Sequence, residues 1–510
     1  MSHGLPALWP LVLAAAPILA EPDEGGRPKT ALKFEVRLNH KTAPRDGRLI
    51  VVLGGKARPE PRFRLGVTGL DAAPAIARDV KQFETGAVAV LDESCITSPI
   101  EGLGHLPAGT YFAQAVLRAN RDLVVTNAPG DLYGPAVRVK LDPARGGTVS
   151  LELSSEVEPD AAPAETDLVK FVKLESKLLS AFHGRPMFLR AGVILPRDFD
   201  KDADRRYPLR IHIGGYGARS SATKDRMREG SEFRAAWMAD DAPKMIFLML
   251  DGAGPLGDPY QVNSANNGPY GDAVTKELIP FVEAQYRGNG SRVLDGGSTG
   301  GWVALALQVF YPDTFQGCWA SCPDGVDFRD FQLVNIYESK NAYVNEDGFE
   351  RPGARTLNGD VKYTMRHELR MENLLGAGDS WTRSGGQWGA WNATYGPKGA
   401  NGPAPLWDPK TGEIDRAVVD HWKQYDLRMV LEADWATLGP KLKGKIHIFV
   451  GESDDYFLNN AVHRLDNFLA KADPPFAGVI RFGPGKGHCW SPLDEVELMK
   501  QMGEAVRAKP

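Results

Sequence analysis

The chain has 510 residues, a formal net charge of -5 at pH 7 and an isoelectric point of about 6.1. Its length exceeds that of a typical domain of about 150 residues, so two domains are expected, and a hydrophobic content of 43% is enough for large cores. The slightly acidic balance leaves no basic surface, which excludes the usual electrostatic basis for binding nucleic acid or an anionic membrane.

The first 20 residues predict a signal peptide. Residues 8–20 form an apolar run that ends in a small residue before a polar segment and is too short to span a bilayer. No Lys or Arg precedes this run, which departs from the usual pattern. We therefore expect a secreted or periplasmic protein with no membrane span.

Residues 31–155 predict an all-β, sandwich-like domain. Short alternating runs separated by turns are typical of antiparallel strands, and they occur at residues 32–36, 49–53, 110–116, 136–139 and 149–153. The acidic, proline-containing segment 156–170 then predicts a linker. Such a domain can bind carbohydrate, mediate dimers or brace an enzyme, and bracing is the simplest expectation.

A second domain is expected over residues 171–510. A strand predicted at residues 209–213 ends in Gly214-Gly215-Tyr216-Gly217, a turn whose glycines allow backbone N–H groups to face a ligand. We take Tyr216 as one donor of an oxyanion hole, with Gly217 as the alternative. An ordinary glycine loop is the competing interpretation.

A Gly-x-Ser-x-Gly motif follows, at residues 296–300. An apolar run at 292–294 precedes it and a helical run at 302–307 follows, so the sequence predicts strand, sharp turn and helix. This context predicts Ser298 as a nucleophile and the N–H of Thr299 as the second oxyanion donor. In a chain with 55 glycines, an ordinary turn is the alternative.

Residues 324–443 form a long insert that holds six of the eleven tryptophans. These side chains either line a pocket for sugar or aryl groups or fill an irregular core, and packing is the more common outcome. Residues 408–413 superficially suggest a calcium loop, but the spacing of the acids does not fit an EF-hand. We therefore predict no metal and no cofactor.

The catalytic acid is expected after the buried strand predicted at residues 445–450. Glu452, Asp454 and Asp455 follow this strand and precede an amphipathic helix. We favour Asp454, with Asp455 in reserve. Capping of the next helix is the alternative role for one of these acids.

His488 is the predicted general base. It lies in a glycine-rich loop after the strand-like run 478–482 and before the helix expected at 493–508, which completes the chain order Ser, Asp, His. Cys489 is its neighbour, and we hypothesise that a Cys322–Cys489 disulfide fixes the histidine loop beside the sheet. Small buried thiols are the alternative.

From about residue 173 onward, the chain resembles the Putative esterase (esterase D-like) group of α/β-hydrolases, in particular secreted members with an N-terminal β-domain. The matching stretches are residues 208–217, 266–272, 297–302, 451–458 and 487–488. The resemblance implies an α/β-hydrolase fold with a mostly parallel sheet. It also implies ester hydrolysis through an acyl-enzyme. The insert is longer than in compact members, so the pocket is expected to differ.

The implied substrate is a small-molecule or carbohydrate-linked ester, with feruloyl, acetyl and siderophore-type esters as examples. Preference for esters over amides follows from the resemblance alone, because a serine peptidase would use the same triad of Ser298, Asp454 and His488. A non-catalytic binding or scaffolding protein on a hydrolase frame is the alternative from another class. The sequence leaves the acyl group, the alcohol and the oligomeric state open.

Overall fold

The computed structural model describes residues 29–159, 161 and 163–507. The predicted signal peptide, residues 1–20, lies outside these described residues. Within them, no helix combines the length and the apolar content that a bilayer-spanning segment needs.

The N-terminal part of the described chain consists of two sheets. Its strands are β1 (Leu32–Leu38), β2 (Arg45–Gly54), β3 (Ala75–Phe83), β4 (Val88–Leu91), β5 (Ile96–Ser98), β6 (Gly109–Arg118), β7 (Leu132–Tyr133), β8 (Val137–Leu141), β9 (Gly147–Leu153) and β10 (Ser155–Glu156). The smaller sheet has the order β4-β1-β9, and the larger has the order β10-β7-β6-β2-β3-β5, with β8 also paired to β6. Buried side chains of both sheets, including Phe34, Val51 and Leu117, form one core. This is the expected sandwich-like arrangement.

A mixed eight-stranded sheet forms the C-terminal part. The remaining strands are β11 (Val169–Glu175), β12 (Phe188–Ile194), β13 (Tyr207–Ile213), β14 (Ile246–Leu250), β15 (Asn263–Ser264), β16 (Gly268–Pro269), β17 (Gly288–Gly297), β18 (Gly317–Ser321), β19 (Pro352–Arg355), β20 (Val361–Thr364), β21 (Lys398–Gly399), β22 (Gly402–Pro403), β23 (Ile446–Gly451) and β24 (Val479–Gly483). The order is β11-β12-β14-β13-β17-β18-β23-β24, and β15–β16, β19–β20 and β21–β22 form separate pairs. Strands β11, β12 and β14 pair antiparallel, and all later neighbours pair in parallel. The sheet is therefore mostly parallel, as expected.

Helices cover both faces of this sheet, and others belong to the insert. The helices of the described chain are α1 (Lys177–His183), α2 (Thr223–Arg226), α3 (Glu232–Met238), α4 (Tyr270–Ala273), α5 (Ile279–Gln285), α6 (Thr299–Phe310), α7 (Met365–Leu375), α8 (Gln387–Tyr395), α9 (Arg416–Trp422), α10 (Leu427–Leu442), α11 (Leu458–Leu469) and α12 (Glu495–Ala505). Leu294 of β17 packs in one buried cluster with α6, whereas its neighbour Val293 packs in another with α3 and α12. Strands covered on both sides tend to be continuous apolar runs, as in β14 and most of β23.

Strand β2 joins the two parts of the molecule. Its residues 49, 51 and 53 face the sandwich core, and Ile50 and Val52 pack against Leu374 and Leu375 of α7. Polar contacts reinforce this docking: Arg48 Nε donates to the carbonyl of Leu374 at 2.9 Å. The N-terminal sheets therefore pack directly on a helix of the insert.

The tryptophans of the insert mainly fill a core. Trp381, Trp388, Trp407 and Trp422 are 0% exposed. They stack or pack edge to face, for example Trp381 on Trp407 with ring centroids 5.0 Å apart. The packing interpretation holds for these four side chains.

Candidate active site

Ser298 lies at a sharp turn between β17 and α6. Its backbone has φ 57° and ψ -126°, a conformation that few non-glycine residues adopt outside strained functional turns. A Cβ atom on Gly300 would lie 2.0 Å from the carbonyl oxygen of Ile213, and one on Gly296 would lie 2.3 Å from that of Gly300. Both glycines are therefore required for the close approach of strand and helix.

Asp454 and His488 come together at the carboxyl ends of β23 and β24. His488 Nδ1 lies 2.8 Å from Asp454 Oδ2, and Asp454 is 0% exposed. Burial alone would lower the pKa of His488, but the hydrogen bond and charge of Asp454 outweigh it, and the pKa is raised above its usual value. The pair has the geometry of an acid that orients an imidazole and favours its protonated form.

The other two acids of this loop have different partners. Asp455 Oδ1 accepts from the backbone N–H of His488 at 3.3 Å, and Asp455 Oδ2 pairs with Lys362 Nζ at 2.6 Å. Glu452 lies 3.0 Å from the ring of His463. Of the three acids, Asp454 is the one that contacts the His488 imidazole.

Asp324 is a site residue that sequence reasoning missed. Ser298 Oγ donates to Asp324 Oδ1 at 3.4 Å, and no hydrogen bond joins Ser298 Oγ to His488 among the described residues. The other oxygen, Asp324 Oδ2, accepts from Tyr260 at 2.7 Å, Thr299 at 3.0 Å and Trp391 at 3.0 Å. Burial raises the pKa of Asp324, and these hydrogen bonds oppose that shift.

The predicted oxyanion donors differ in whether their backbone N–H groups already have a hydrogen-bond acceptor. Gly217 N–H donates to Asp258 Oδ2 at 3.0 Å, so the alternative donor is already paired. Tyr216 N–H has no acceptor among the described residues, and Thr299 begins α6, where N–H groups lack helical partners. The Tyr216 hydroxyl donates to the carbonyl of Gly385, which fixes this loop against the insert.

A disulfide joins Cys322 and Cys489 beside these residues. The backbone N–H of Ser298 lies 3.2 Å from Cys322 Sγ, and Cys489 directly follows His488. The bridge therefore connects the end of β18, next to the serine turn, to the histidine loop. Cys95 and Cys318 are free.

Ser298 and His488 open into a cavity of about 650 Å³. Its walls come from three regions: the hydrolase sheet, the insert, and loops of the N-terminal sheets at residues 65–68 and 124–126. Arg118 of β6 also lines it and donates to the carbonyls of Leu375 at 2.9 Å and Ser384 at 3.1 Å. Trp391 is the one insert tryptophan in the described lining, so the pocket interpretation applies to it alone.

Four carboxyl side chains of the described chain line this cavity, and burial disfavours their charged forms. Burial raises the pKa of Asp258 to about 7 and that of Glu372 to about 7. Burial and the neighbouring Glu372 raise the pKa of Glu368 to about 8. Glu368 and Glu372 are four residues apart on α7, and this spacing places both side chains on one face of the helix. The spacing is visible in the sequence and could have drawn attention to this pair.

Comparison with known families identifies the C-terminal part. The model of the family described as "Putative esterase" matches residues 189–489. This range contains Ser298, Asp454 and His488, and it begins after the N-terminal sheets. A search of curated proteins found no match.

A search of solved structures also found matches. They include a ferulic acid esterase (15% identity, 66% of this chain and 97% of that chain covered, TM-score 0.38). A second is FphF, a fluorophosphonate-binding serine hydrolase of Staphylococcus aureus (13% identity, 66% of this chain and 96% of that chain covered, TM-score 0.38). A third is an S-formylglutathione hydrolase from Agrobacterium tumefaciens (11% identity, 66% of this chain and 93% of that chain covered, TM-score 0.35). The family assignment rests on the family model.

Proposed function

This chain belongs to the Putative esterase family and is a serine ester hydrolase, and we propose that Ser298, His488 and Asp454 are its catalytic triad. The observation that carries the proposal is the 2.8 Å contact between Asp454 and His488, beside the strained Ser298 turn and open to the same cavity. An imidazole held in one orientation by a buried carboxylate is the arrangement that activates a serine hydroxyl.

The reaction starts from the serine hydroxyl. Ser298 Oγ donates to Asp324 in this structure, so the first step transfers that hydrogen bond to His488 Nε2. His488 takes the proton while Oγ attacks the ester carbonyl carbon, and the N–H groups of Thr299 and Tyr216 bind the resulting oxyanion. His488 then protonates the departing alcohol. Water, deprotonated by His488, releases the acid from Ser298.

Labelling with a fluorophosphonate probe followed by mass spectrometry tests this triad. We expect rapid labelling at Ser298 in the wild type and none in Ser298→Ala, with a severe loss in His488→Ala. Ser291→Ala, at the opposite end of β17, is the matched control and should label normally. Persistent labelling of Ser298→Ala, or none in the folded wild type, would refute the assignment.

We propose a small carboxylic ester as substrate, with feruloyl, acetyl and siderophore-type esters as the first to test. A cavity of about 650 Å³ lies within the range for drug-sized ligands. Comparing kcat/KM for these three ester classes and for matching peptides would identify the class. Cleavage of peptides without cleavage of esters would contradict the proposal.

We also propose that the protein is exported. The apolar run at residues 8–20 and the Cys322–Cys489 bridge support this, because disulfides persist mainly in oxidising compartments. Sequencing the N-terminus of protein isolated from its natural source should show removal of about the first 20 residues. An intact N-terminus on cytoplasmic protein would contradict export.

A further inference from the structure

Asp258 and Tyr260 contact the two segments that carry the predicted oxyanion donors, Tyr216 and Thr299. Both side chains are almost completely buried. A single residue, Pro259, separates them in the chain, so one short piece of backbone is joined to both segments. The triad uses neither side chain.

We propose that Asp258 and Tyr260 are positioning residues that hold the two oxyanion donors at the spacing required by the transition state. The inference rests on the proposed function, since it concerns the oxyanion hole of the same reaction. Both N–H groups must lie at hydrogen-bonding distance from one developing negative charge, and loss of a single donor typically lowers kcat by about 10² to 10³. Groups that fix the donors in advance therefore contribute to the rate by acting through them.

The Asp258 carboxylate holds the loop of Tyr216. Its Oδ2 accepts from the N–H of Gly217 at 3.0 Å, and its Oδ1 accepts from the N–H of Tyr260 at 3.0 Å. The carboxylate thus connects the loop after β13 to the segment after β14. A Cβ atom on Gly252 would lie 2.5 Å from Asp258 Oδ2, so this glycine makes room for the contact. With the Gly217 N–H occupied, the adjacent N–H of Tyr216 is the one left without an acceptor among the described residues.

Tyr260 holds the turn of Thr299 through its hydroxyl and its ring. The hydroxyl lies 2.9 Å from Thr299 Oγ1 and donates to Asp324 Oδ2 at 2.7 Å. Asp324 Oδ2 also accepts from Thr299 Oγ1 at 3.0 Å, which closes a set of three contacts beside the first residue of α6. The Tyr260 ring packs edge-on against Trp302 of α6, with ring centroids 5.8 Å apart. Both parts of the side chain therefore fix the end of the helix that supplies the second donor.

The backbone of this segment adopts an unfavourable conformation that these contacts maintain. Tyr260 has φ 54° and Gln261 has φ 36°, a region that residues other than glycine rarely adopt. Such conformations persist only where the surrounding structure holds them. The hydrogen bond from the Tyr260 N–H to Asp258 and the contacts of the Tyr260 hydroxyl provide that restraint.

A matched pair of ketone inhibitors, 4-phenyl-1,1,1-trifluorobutan-2-one and 4-phenylbutan-2-one, tests the proposal. With the trifluoromethyl ketone, Ser298 Oγ bonds to the carbonyl carbon, its proton moves to His488, and the carbonyl electron pair becomes an oxyanion. The methyl ketone is much less electrophilic and reports ground-state binding. The ratio of the two inhibition constants therefore measures stabilisation of the oxyanion.

The assays belong at pH 8.5. Burial, together with the charges of Asp251 and Asp324, raises the pKa of Asp258 to about 7, and its two N–H donors oppose this shift. At pH 8.5 the side chain is ionised, and both of its oxygens accept hydrogen bonds.

We expect Tyr260→Phe to reduce the preference for the trifluoromethyl ketone about tenfold, because the end of α6 loses its hydroxyl contacts. Asp258→Asn should act similarly, since one amide oxygen cannot accept both N–H groups. Both variants should lower kcat for p-nitrophenyl acetate by about the same factor and leave KM within about twofold, because the donors act mainly in the transition state.

Two buried residues outside the described cavity lining are the matched controls. The Tyr343 hydroxyl donates to the carbonyl of Pro409 at 2.9 Å. Asp426 accepts from the N–H groups of Phe328 at 2.8 Å and Met429 at 3.0 Å. Tyr343→Phe and Asp426→Asn therefore remove comparable buried contacts, and they should leave the ketone ratio unchanged.

An unchanged ratio in Tyr260→Phe or in Asp258→Asn, or an equal reduction in the two controls, would overturn the proposal. If one of the two test variants does not fold, the other decides. A folded wild type that hydrolyses no ester and does not distinguish the two ketones would instead refute the proposed function, and this inference with it.

Discussion

One carboxylate contacts the His488 imidazole directly. Asp454 contacts Nδ1, which leaves Nε2 for the serine, and Asp454 Oδ1 is itself held by the backbone N–H groups of Tyr456 at 2.9 Å and Leu458 at 3.3 Å. Asp455 is adjacent in sequence but contacts the histidine backbone and Lys362. Neighbouring acids therefore have separable roles, and this difference is testable.

We expect Asp454→Asn to lower kcat about 10⁴-fold, because an amide stabilises neither the required tautomer nor the imidazolium. Asp455→Asn is the matched control and should change kcat less than about fivefold, as for a partly exposed ion pair. In the wild type the acid limb of kcat/KM should have its midpoint above the ordinary histidine pKa, and Asp454→Asn should move it down. Equal losses in the two variants would reject Asp454 as the acid.

The buried acids of the cavity make stability depend on pH. Glu368, with a folded-state pKa of about 8, keeps its proton when the unfolded chain has lost it near pH 4.5. Its stabilising contribution is therefore complete below about pH 4.5 and is lost as the pH rises through about 8. Thermal unfolding should show Tm falling between pH 5 and 8, with a smaller fall in Glu368→Gln. Glu413→Gln, which changes an exposed acid outside the cavity lining, is the control and should show the same fall in Tm as the wild type. An equal fall in the two variants would contradict the prediction.

Among the elements, the serine turn and the histidine loop are linked by a covalent bond as well as by packing. The turn between β17 and α6 places Ser298, and the loop after β24 places His488. Cys322, at the end of β18, bonds to Cys489 and lies against the Ser298 backbone. The bridge limits the positions that the histidine loop can take relative to the serine.

We expect Cys322→Ala/Cys489→Ala to lower the free energy of unfolding by about 2 to 5 kcal/mol, the usual cost of removing a native disulfide. It should also lower kcat, since the histidine loop gains freedom. Cys95→Ala is the control because this thiol is free and outside the cavity lining. Unchanged stability and kcat in the double variant would show that packing alone holds the loop.

At the scale of the whole molecule, the N-terminal sheets form part of the enzyme's cavity. Their loops supply lining residues, and β2 docks on α7, the helix that carries Glu368 and Glu372. Arg48 is 4% exposed and donates to the carbonyl of Leu374 at the C-terminus of α7. Its positive charge also interacts favourably with the negative end of the helix dipole. The sheets therefore brace α7 and contribute to the shape of the site.

We expect Arg48→Met to lower the free energy of unfolding by about 1 to 3 kcal/mol, because it leaves buried carbonyls without donors. KM should rise for bulky esters that reach α7 and change little for p-nitrophenyl acetate. Arg37→Met, an exposed arginine of β1, is the control and should affect neither quantity. A uniform change in KM for all esters would argue against a role in shaping the wall.

Local patterns were sufficient for much of the fold. Strand β23 of the hydrolase sheet is almost entirely buried and was predicted from its apolar run, and Gly-x-Ser-x-Gly marks a turn that only glycines permit. Strand β3 was missed because Arg78, Asp79 and Lys81 interrupt its apolar pattern. Residues 49–53 of β2 are apolar at every position, although a strand of a sandwich usually alternates apolar and polar residues. This pattern indicates that both faces of β2 are covered, a conclusion that the sequence analysis did not draw.

The sequence by itself predicted the fold class, the serine turn and the segments proposed to hold the acid and the base, because strand periodicity, glycine requirements and chain order are local properties. Tertiary structure decided which atoms meet: Asp454 on the imidazole, Asp324 on Ser298, Gly217 paired with Asp258, and α7 between the sheets and the cavity. These contacts join residues that are far apart in the chain, and burial raises the pKa values of Asp258 and Asp324. No local pattern encodes such distances, so they required the folded molecule.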